Sequence, residues 1–468
     1  MVPDLLKIVI FEMTRFQMAS AIEKALFVFS VALLAFLLGF LVRWHGWFPN
    51  ALLERASQQA TVLVETWSDD PAALNDRVYD RVGVRMSQPE RVQPGFTLLT
   101  SAWPSDDGWT TGLRLIDSTG AVVHHWRVDK NALFPDSIDR RGNPALKTLH
   151  GTYLFPNGDV LVNVEYVGTA RLDACGEMRW RLPEGTHHSI ARAEDGSFWI
   201  PGTSRTPQMG SERHPDGFPG IDRLVWFDQL LRVSERGEAI DRINVLDLLY
   251  ANGLERNIFK AYKPHRLPGV GKGVGKDVTH LNDVEPLSAS MADEYPLFEA
   301  GDLLVSLRYL NLVFVVDPRT ETVKWHTTSD LIQQHDPDFI GGGWVGIFDN
   351  NRDYSRRGTT LGGSRIVAVQ PHTGSTEVRF PTAQSEPLYT DARGKWQQLP
   401  NGNMLLTESM AGRVVEVTPD GRTAWEWVQG SYDGTQVPVV TKGTRYDLRK
   451  SEVAKWPCSP ADTPTPTF

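Results

Sequence analysis

Cysteine is nearly missing from this sequence: Cys175 and Cys458 are the two in 468 residues. No CxxC pair exists, which argues against structural zinc. Two unpaired thiols are the expectation. The alternative is a disulfide, formed in an oxidising compartment, that ties the C-terminal tail to an early turn. Basic charge is also short. A formal net charge of −9 and a pI near 5.8 argue against nucleic acid as a partner. From about Pro94 onward helical periodicity is missing, apart from a stretch at residues 245–252. Long uncharged apolar runs are missing as well, with one exception.

That exception is residues 25–42, ALFVFSVALLAFLLGFLV, which hold no charge. At about 1.5 Å per residue a helix of this length nearly spans a hydrocarbon core. Lys24 and Arg43 bracket it, and Trp44 and Trp47 suit the headgroup region. The run is longer than the apolar part of a typical signal peptide, and no small-x-small cleavage site follows it cleanly. A single uncleaved anchor is therefore expected in preference to a cleaved signal. Lys7, Arg15 and Lys24 precede the span, and Arg43 and Arg55 follow it. This balance leans toward the N-terminus inside and the bulk of the chain outside. Residues 1–47 are read as an amphipathic lead and membrane anchor helix. Residues 48–93 are read as a stalk helix and linker, 94–430 as the main domain and 431–468 as a C-terminal tail.

With 41% hydrophobic and 22% charged residues the chain can bury a large core. What fills residues 94–430 is a repeat. FPNGDVLVNVEYVGTARLDACGEMRWRL (155–182) and LPNGNMLLTESMAGRVVEVTPDGRTAWEWV (399–428) share one order: turn, strand, strand, Gly turn, and a strand closing on Trp. Residues 301–327 follow it, a weaker copy covers 111–128, and degenerate copies fit 195–243 and 345–380. About six units of three or four short strands predict an all-β fold, a six-bladed β-propeller preceded by the membrane helix. Radial repetition buries both faces of short sheets without long open edges. Tryptophans that close the units are expected to fill the wedges between blades. A β-sandwich pair is the rival architecture.

The histidines follow the repeat. His150 lies eight residues before Gly158, and His188 lies eight residues before Gly196, each just ahead of a first strand. In a propeller such positions converge on the axis at one mouth. His280 and His335 precede two further units, so four units offer an imidazole toward one place. His187 is adjacent to His188, and alternation points it the other way. Arg308 sits in the apolar context LLVSLRYLNLVFVVD, where a charge is costly unless paired; bridging two blades through a carboxylate is its structural reading. The stretch QHDPDFIGGGWVGIFDN (334–350) reads as a loop that presents His335 and then enters a buried strand. Gly341, Gly342 and Gly343 in that loop leave room for a ligand, although a glycine-rich connection with a surface histidine is the plainer reading.

Several motifs in order resemble the bacterial arylsulfate sulfotransferases, a PAPS-independent family. They are Thr186-His187-His188, His280-Leu281-Asn282-Asp283-Val284, Val305-Ser306-Leu307-Arg308, Gln334-His335 with Phe348-Asp349-Asn350, and Trp396 through Asn403. The resemblance covers roughly residues 95–430. It implies a six-bladed propeller exported across the inner membrane that moves a sulfuryl group from a phenolic sulfate ester to a phenolic acceptor through a sulfohistidine. Carried over, it implies His335 as nucleophile, His280 and Arg308 as the sulfate-binding pair, and His188 as a further active-site imidazole. His150, His187, Asn282 and Gly342 are the candidate substrate-binding residues around them. The chain departs from the family's pattern in its membrane anchor, in lacking a close cysteine pair, and in Asn282-Asp283 where Asn-Ser is frequent.

The chemistry is coherent on its own terms. Neutral imidazole is a good nucleophile near neutral pH and forms a labile N–S bond, dividing one transfer into two easier steps. A sulfuryl group spreads negative charge over its oxygens, where an arginine and NH-donating histidines stabilise it. Neither a metal nor a cofactor is required. The rivals are a metal site built from three of the histidines with Asp283 or Asp336, a membrane-anchored propeller that binds a partner or glycan without catalysis, and a hydrolase passing the group to water. The partners expected are an aryl sulfate donor, a phenolic acceptor and the bacterial inner membrane, with the bulk of the chain in the periplasm. A homodimer is left open.

Overall fold

The computed structural model describes residues 23–42, 73–106, 108–135, 148–261 and 275–458. The expected amphipathic lead and stalk helix fall outside the described residues, except for the last two residues of the lead. One helix, Glu23–Val42, is 20 residues long and apolar enough to cross a membrane.

Among the remaining described residues are seven antiparallel sheets: six of four or five strands, the six blades of a propeller, and a two-stranded one that pairs Leu74–Asp76 with Gln436–Pro438. The second blade runs Leu149–Leu154, Val160–Val164, Gly168–Leu172, Met178–Leu182 from the innermost strand outward. The third is Ala191–Arg192, Phe198–Thr203, Asp228–Val233, Ala239–Asn244. The fourth is Leu281–Pro286, Leu303–Leu307, Leu312–Asp317, Thr322–Thr327. The fifth is His335–Phe339, Val345–Asp349, Arg365–Gln370, Ser375–Phe380.

The first and sixth blades close the ring. In the first, Phe96–Ser105, Gly108–Ile116 and Val122–Arg127 take Lys442–Tyr446 as their innermost strand. In the sixth, Lys395–Gln398, Met404–Glu408, Arg413–Val417 and Thr423–Val428 take Gly83–Met86 as a fifth, outer strand. Residues 431–468, read from sequence as a tail, thus supply a central strand, and the segment read as a linker supplies an edge strand. Segments from before and after the repeats complete two neighbouring blades.

The strands are apolar on both faces because each blade packs on two neighbours. Among the described residues the buried apolar side chains form six clusters, one in each wedge between blades. Alternation assigns them. Leu303, Val305 and Leu307 face the third blade, whereas Leu304 faces the fifth. The closing tryptophans also work across wedges. Trp126 Nε1 donates to Gly158 O (3.1 Å), Trp180 Nε1 to Glu235 O (3.0 Å) and Trp425 Nε1 to Ser118 O (2.8 Å), each a turn of the next blade. Trp126 and Trp425 are buried and Trp180 is half-buried; a shielded indole needs a partner for its N–H, and here the partner is on the neighbouring blade. The helix Val245–Ala251 follows the third blade, capped by the Asn244 side chain, which accepts from Leu246 N and Asp247 N.

The cysteine expectation is corrected. Cys175 and Cys458 form a disulfide, Cα–Cα 5.3 Å, that spans 283 residues. The helix Lys450–Val453 and Trp456 dock on the second blade, where Trp456 Nε1 donates to Pro156 O at 2.9 Å. That docking brings residue 458 to the Gly168–Leu172/Met178–Leu182 turn. Because the bond locks the closing strand's end to the ring, Cys458→Ser is expected to destabilise the propeller by about 2–4 kcal/mol. Denaturant midpoints with and without reductant check this; equal midpoints for parent and variant under oxidising conditions would show that the staple contributes nothing.

Candidate active site

The third to sixth blades each begin at the same mouth with a loop that the preceding blade holds. Asn163 Nδ2 on the second blade donates to the carbonyls of His187, His188 and Ser189 at 3.2, 3.3 and 3.2 Å. Asp228 Oδ2 on the third accepts from Thr279 Oγ1 (2.6 Å) and Leu281 N (2.8 Å), on either side of His280. Gln334 is held by Ser306 Oγ (3.0 Å) and the carbonyls of Leu307 and Leu312. Asn350 Nδ2 donates to Thr390 O and Arg393 O, both at 2.8 Å. These clasps impose left-handed backbone at His188 (φ 54°) and His280 (φ 50°), a conformation that costs roughly 1–3 kcal/mol and clusters at functional sites.

The result is a buried cluster of imidazoles at the axis. The His188 ring lies 4.3 Å from His150, 5.3 Å from His280 and 6.2 Å from His335. His187 joins through Nδ1, 2.8 Å from His188 Nδ1, so one of these nitrogens donates and the other accepts. His150 is inside the innermost strand of its blade rather than ahead of it, and His335 opens a strand rather than ending a loop. His335 is 2% exposed, not a surface residue.

Asn350 determines the state of His335. Its amide NH₂ faces two carbonyls, so its oxygen is the atom turned to His335 Nδ1, at 2.6 Å. An amide oxygen only accepts. Nδ1 therefore carries the proton, and Nε2 keeps its lone pair. Burial first, then the charge of Arg308, hold the ring's pKa well below its ordinary value. Burial and the neighbouring imidazoles do the same for His188.

His280 is oriented differently. Its Nδ1 meets Asp277 Oδ2 at 2.7 Å, its backbone N–H donates to the same carboxylate at 3.1 Å, and its ring stacks on Tyr309 at 4.4 Å. Arg308 follows its strand in a short 3-10 turn, and its backbone N–H donates to His280 O at 3.1 Å. Its Nη2 donates to the neutral Gln333 Oε1 at 2.9 Å. No carboxylate among the described residues pairs with it, so the blade-bridging ion pair read from sequence is absent there. Burial lowers its pKa.

Asn282 is buried and donates to Gln334 O at 2.7 Å, fixing the residue before His335, while its Oδ1 has no hydrogen-bond partner among the described residues. One candidate is elsewhere. Gly342 lies in the exposed hairpin turn at the far end of His335–Phe339, about 17 Å along the strand from the mouth, and its N–H donates to Glu294. The glycines therefore leave no room beside His335.

Sequence reasoning missed several partners. Glu165 stands 3.7 Å from His150 Nδ1 and 3.2 Å from Arg393. Burial raises its carboxyl, but Arg393 and His150 outweigh that and hold it well below the usual range. Below the imidazoles Lys395 contacts Asp283 Oδ1 at 3.1 Å and Asp336, joining blades four, five and six. Asp277, three residues before His280, was the one partner with a sequence signal.

The ligand-type atoms of His150, Glu165 and His188 lie within 4.8 Å of one another. Arg393 already neutralises that glutamate, and Asp283 and Asp336, the expected oxygen ligands, are bound to Lys395. Neutral imidazoles beside Arg308 make a site suited to an anion.

Residues 155–430 match the family described as Arylsulfotransferase (ASST). The chain belongs to the arylsulfotransferase family. No curated protein matches it. Among solved structures it is similar to a protein of unknown function from Bacteroides caccae, at 11% identity over 74% of this chain and 99% of that one, TM-score 0.45. A streptogramin B lyase is similar at 11% identity over 80% and 98%, TM-score 0.38. Virginiamycin B lyase from Staphylococcus aureus is similar at 8% identity over 80% and 91%, TM-score 0.35. At those scores none of the three bears on the chemistry.

Proposed function

We propose that the chain transfers a sulfuryl group from a phenolic sulfate ester to a phenolic acceptor, with His335 carrying the group between them and no PAPS. The observation that carries this reading is the Asn350 clasp, which fixes the proton on His335 Nδ1 and leaves Nε2 open. In the first step Nε2 attacks sulfur, an N–S bond forms, the S–O(aryl) bond breaks, and the phenolate leaves with that electron pair. A neighbouring imidazole, His280, whose Nδ1 is paired with Asp277, supplies the phenolate's proton. The proton retained on Nδ1 keeps the sulfohistidine labile. In the second step the same neighbouring imidazole takes the acceptor's phenolic proton, the acceptor oxygen attacks sulfur, and His335 is restored. Arg308 lies over the oxygens in both steps. His150, buried beside Glu165, supports His188 within the cluster.

An assay with a chromogenic aryl sulfate, with and without added phenol, separates the readings. Transfer predicts that phenol accelerates chromophore release and becomes sulfated; release that ignores phenol indicates hydrolysis, and no release defeats both. Arg308→Ala is expected to fold and to lose about 10²–10³-fold in rate, the usual cost of one charge-stabilising group. An Arg308→Ala protein as fast as the parent would remove it from the mechanism.

The helix Glu23–Val42 is proposed as an anchor that keeps the propeller at the bacterial inner membrane. The Cys175–Cys458 bond supports placing the bulk of the chain on the oxidising, periplasmic side.

A further inference from the structure

Outside the imidazoles, two guanidinium groups converge on one neutral atom. Arg308 Nη2 and Arg352 Nη1 both donate to Gln333 Oε1, at 2.9 and 3.0 Å. An amide oxygen cannot neutralise two cations. The acid beside Arg352 is Asp391, 3.5 Å away and more than a third exposed. The Nε atoms of Arg308 and Arg352 are both buried and have no hydrogen-bond partner among the described residues. An Nε–H beside an Nη–H is the edge of a guanidinium that matches an oxyanion with two parallel bonds. Gln333 is held rigidly between them. Its backbone is left-handed (φ 56°), and its N–H donates to Asn311 Oδ1 at 2.8 Å. The pair is thus an anion-binding device whose spacer is neutral.

The two arginines are not equivalent. Arg308 is deep and acts electrostatically on His335, whereas the Arg352 side chain is 28% exposed. Arg352 therefore faces a part of the substrate farther from the sulfur. We propose that Arg352, coupled to Arg308 through Gln333, binds a second anionic group on the aromatic substrate, so that carboxylated or otherwise oxyanionic phenols and their sulfate esters are preferred. This rests on the sulfuryl-transfer reading and narrows it to a substrate class.

The test compares 4-carboxyphenyl sulfate with 4-methylphenyl sulfate as donors to the full-length protein in detergent. The parent is expected to favour the carboxylated donor in kcat/KM. Arg352→Gln is expected to lower that preference ratio about tenfold, whatever its effect on the absolute rates, as the loss of a charge-assisted contact predicts. Gln333→Glu, which places a carboxylate between the guanidiniums, is expected to lower the ratio similarly and guards against a folding defect in Arg352→Gln. A parent ratio near one, or a ratio unmoved in both variants, overturns the proposal while leaving sulfuryl transfer intact. A parent that cleaves neither ester overturns the transfer reading itself. Calorimetric binding of 4-hydroxybenzoate against 4-methylphenol reads the site without turnover: tighter binding of the carboxylated phenol, lost in Arg352→Gln, supports it, and equal binding overturns it.

Discussion

His335→Asn abolishes both donor cleavage and acceptor sulfation, by at least about 10⁴-fold, while the protein stays folded. The size of the loss follows from removing the atom that forms the first covalent bond, since nucleophile knockouts in covalent catalysis cost on the order of 10⁴–10⁶. Asparagine is similar in size and keeps a polar group beside Asn350, so the substitution separates packing from chemistry. Mass spectrometry of the parent after brief mixing with donor should find the added sulfuryl mass on the peptide containing His335. The pH profile has a definite sign. The reactive form is unprotonated, and burial with Arg308 lowers the ring's pKa well below its ordinary value. Protonation then sets in only below the usual histidine range, so donor cleavage by the parent persists as pH falls through about 6.5 and declines further down. Parent-like turnover in His335→Asn would end the sulfohistidine account. So would activity that a chelator abolishes and a metal restores, which would move the chemistry to a cation held by His150, Glu165 and His188.

What the sequence made legible, and what it hid, divides along the radius of the propeller. The outer three strands of each blade lie between two apolar neighbours and are joined by tight glycine turns. They therefore repeat a recognisable order, as in residues 155–182 and 399–428. The innermost strands do not. Ala191–Arg192 has two residues, and Lys395–Gln398 reads KWQQ. They face the axis, where polar groups are satisfied by other blades and no apolar alternation is imposed. Lys442–Tyr446 becomes an innermost strand only by pairing with Phe96–Ser105, so nothing local marks it.

The same division explains the site. His150, His188, His280 and His335 drew attention because they recur near the start of an innermost strand, and the structure brings their rings together. Gly342 was misplaced because closeness in sequence to His335 was taken for closeness in space, whereas five strand residues carry the chain to the opposite end of the blade. Glu165 and Arg352 look ordinary in sequence, and Asn350 stood out only as part of the Phe348-Asp349-Asn350 motif, with no role attached. Their roles exist only through the neighbouring blade or turn that each one touches.

Lys395→Met is expected to be the most destabilising single change at the axis. The ammonium lies between Asp283 and Asp336, contributed by two other blades, and both it and Asp283 are almost fully buried. Asp336 also accepts from Trp396 N at 2.7 Å, so its carboxylate cannot turn away to solvent. Nearby, burial and then the charges of Asp283 and Asp336 push Glu285 up to about 8, and burial with the same neighbours raises Asp338. Burial alone would discharge Lys395, but Asp283 and Asp336 outweigh it and hold its pKa above the ordinary value. That stabilisation is fully present below the unfolded pKa of about 10.4 and is lost as pH rises through the folded value. Methionine matches the stem of lysine but leaves two carboxylates buried side by side. Removing one partner of a buried ion pair costs about 3–5 kcal/mol. The stranded carboxyls acquire folded pKa values above their unfolded ones. Their cost is therefore smallest at low pH and grows as pH rises through those values. Urea titrations of parent and Lys395→Met at pH 5 and pH 7.5 measure this directly. The expected outcome is a large deficit at pH 7.5 that narrows at pH 5, with partial recovery in the Lys395→Met/Asp336→Asn double variant. A deficit under about 1 kcal/mol at pH 7.5, or one that widens on acidification, would mean that the ammonium does not bind the three blades together.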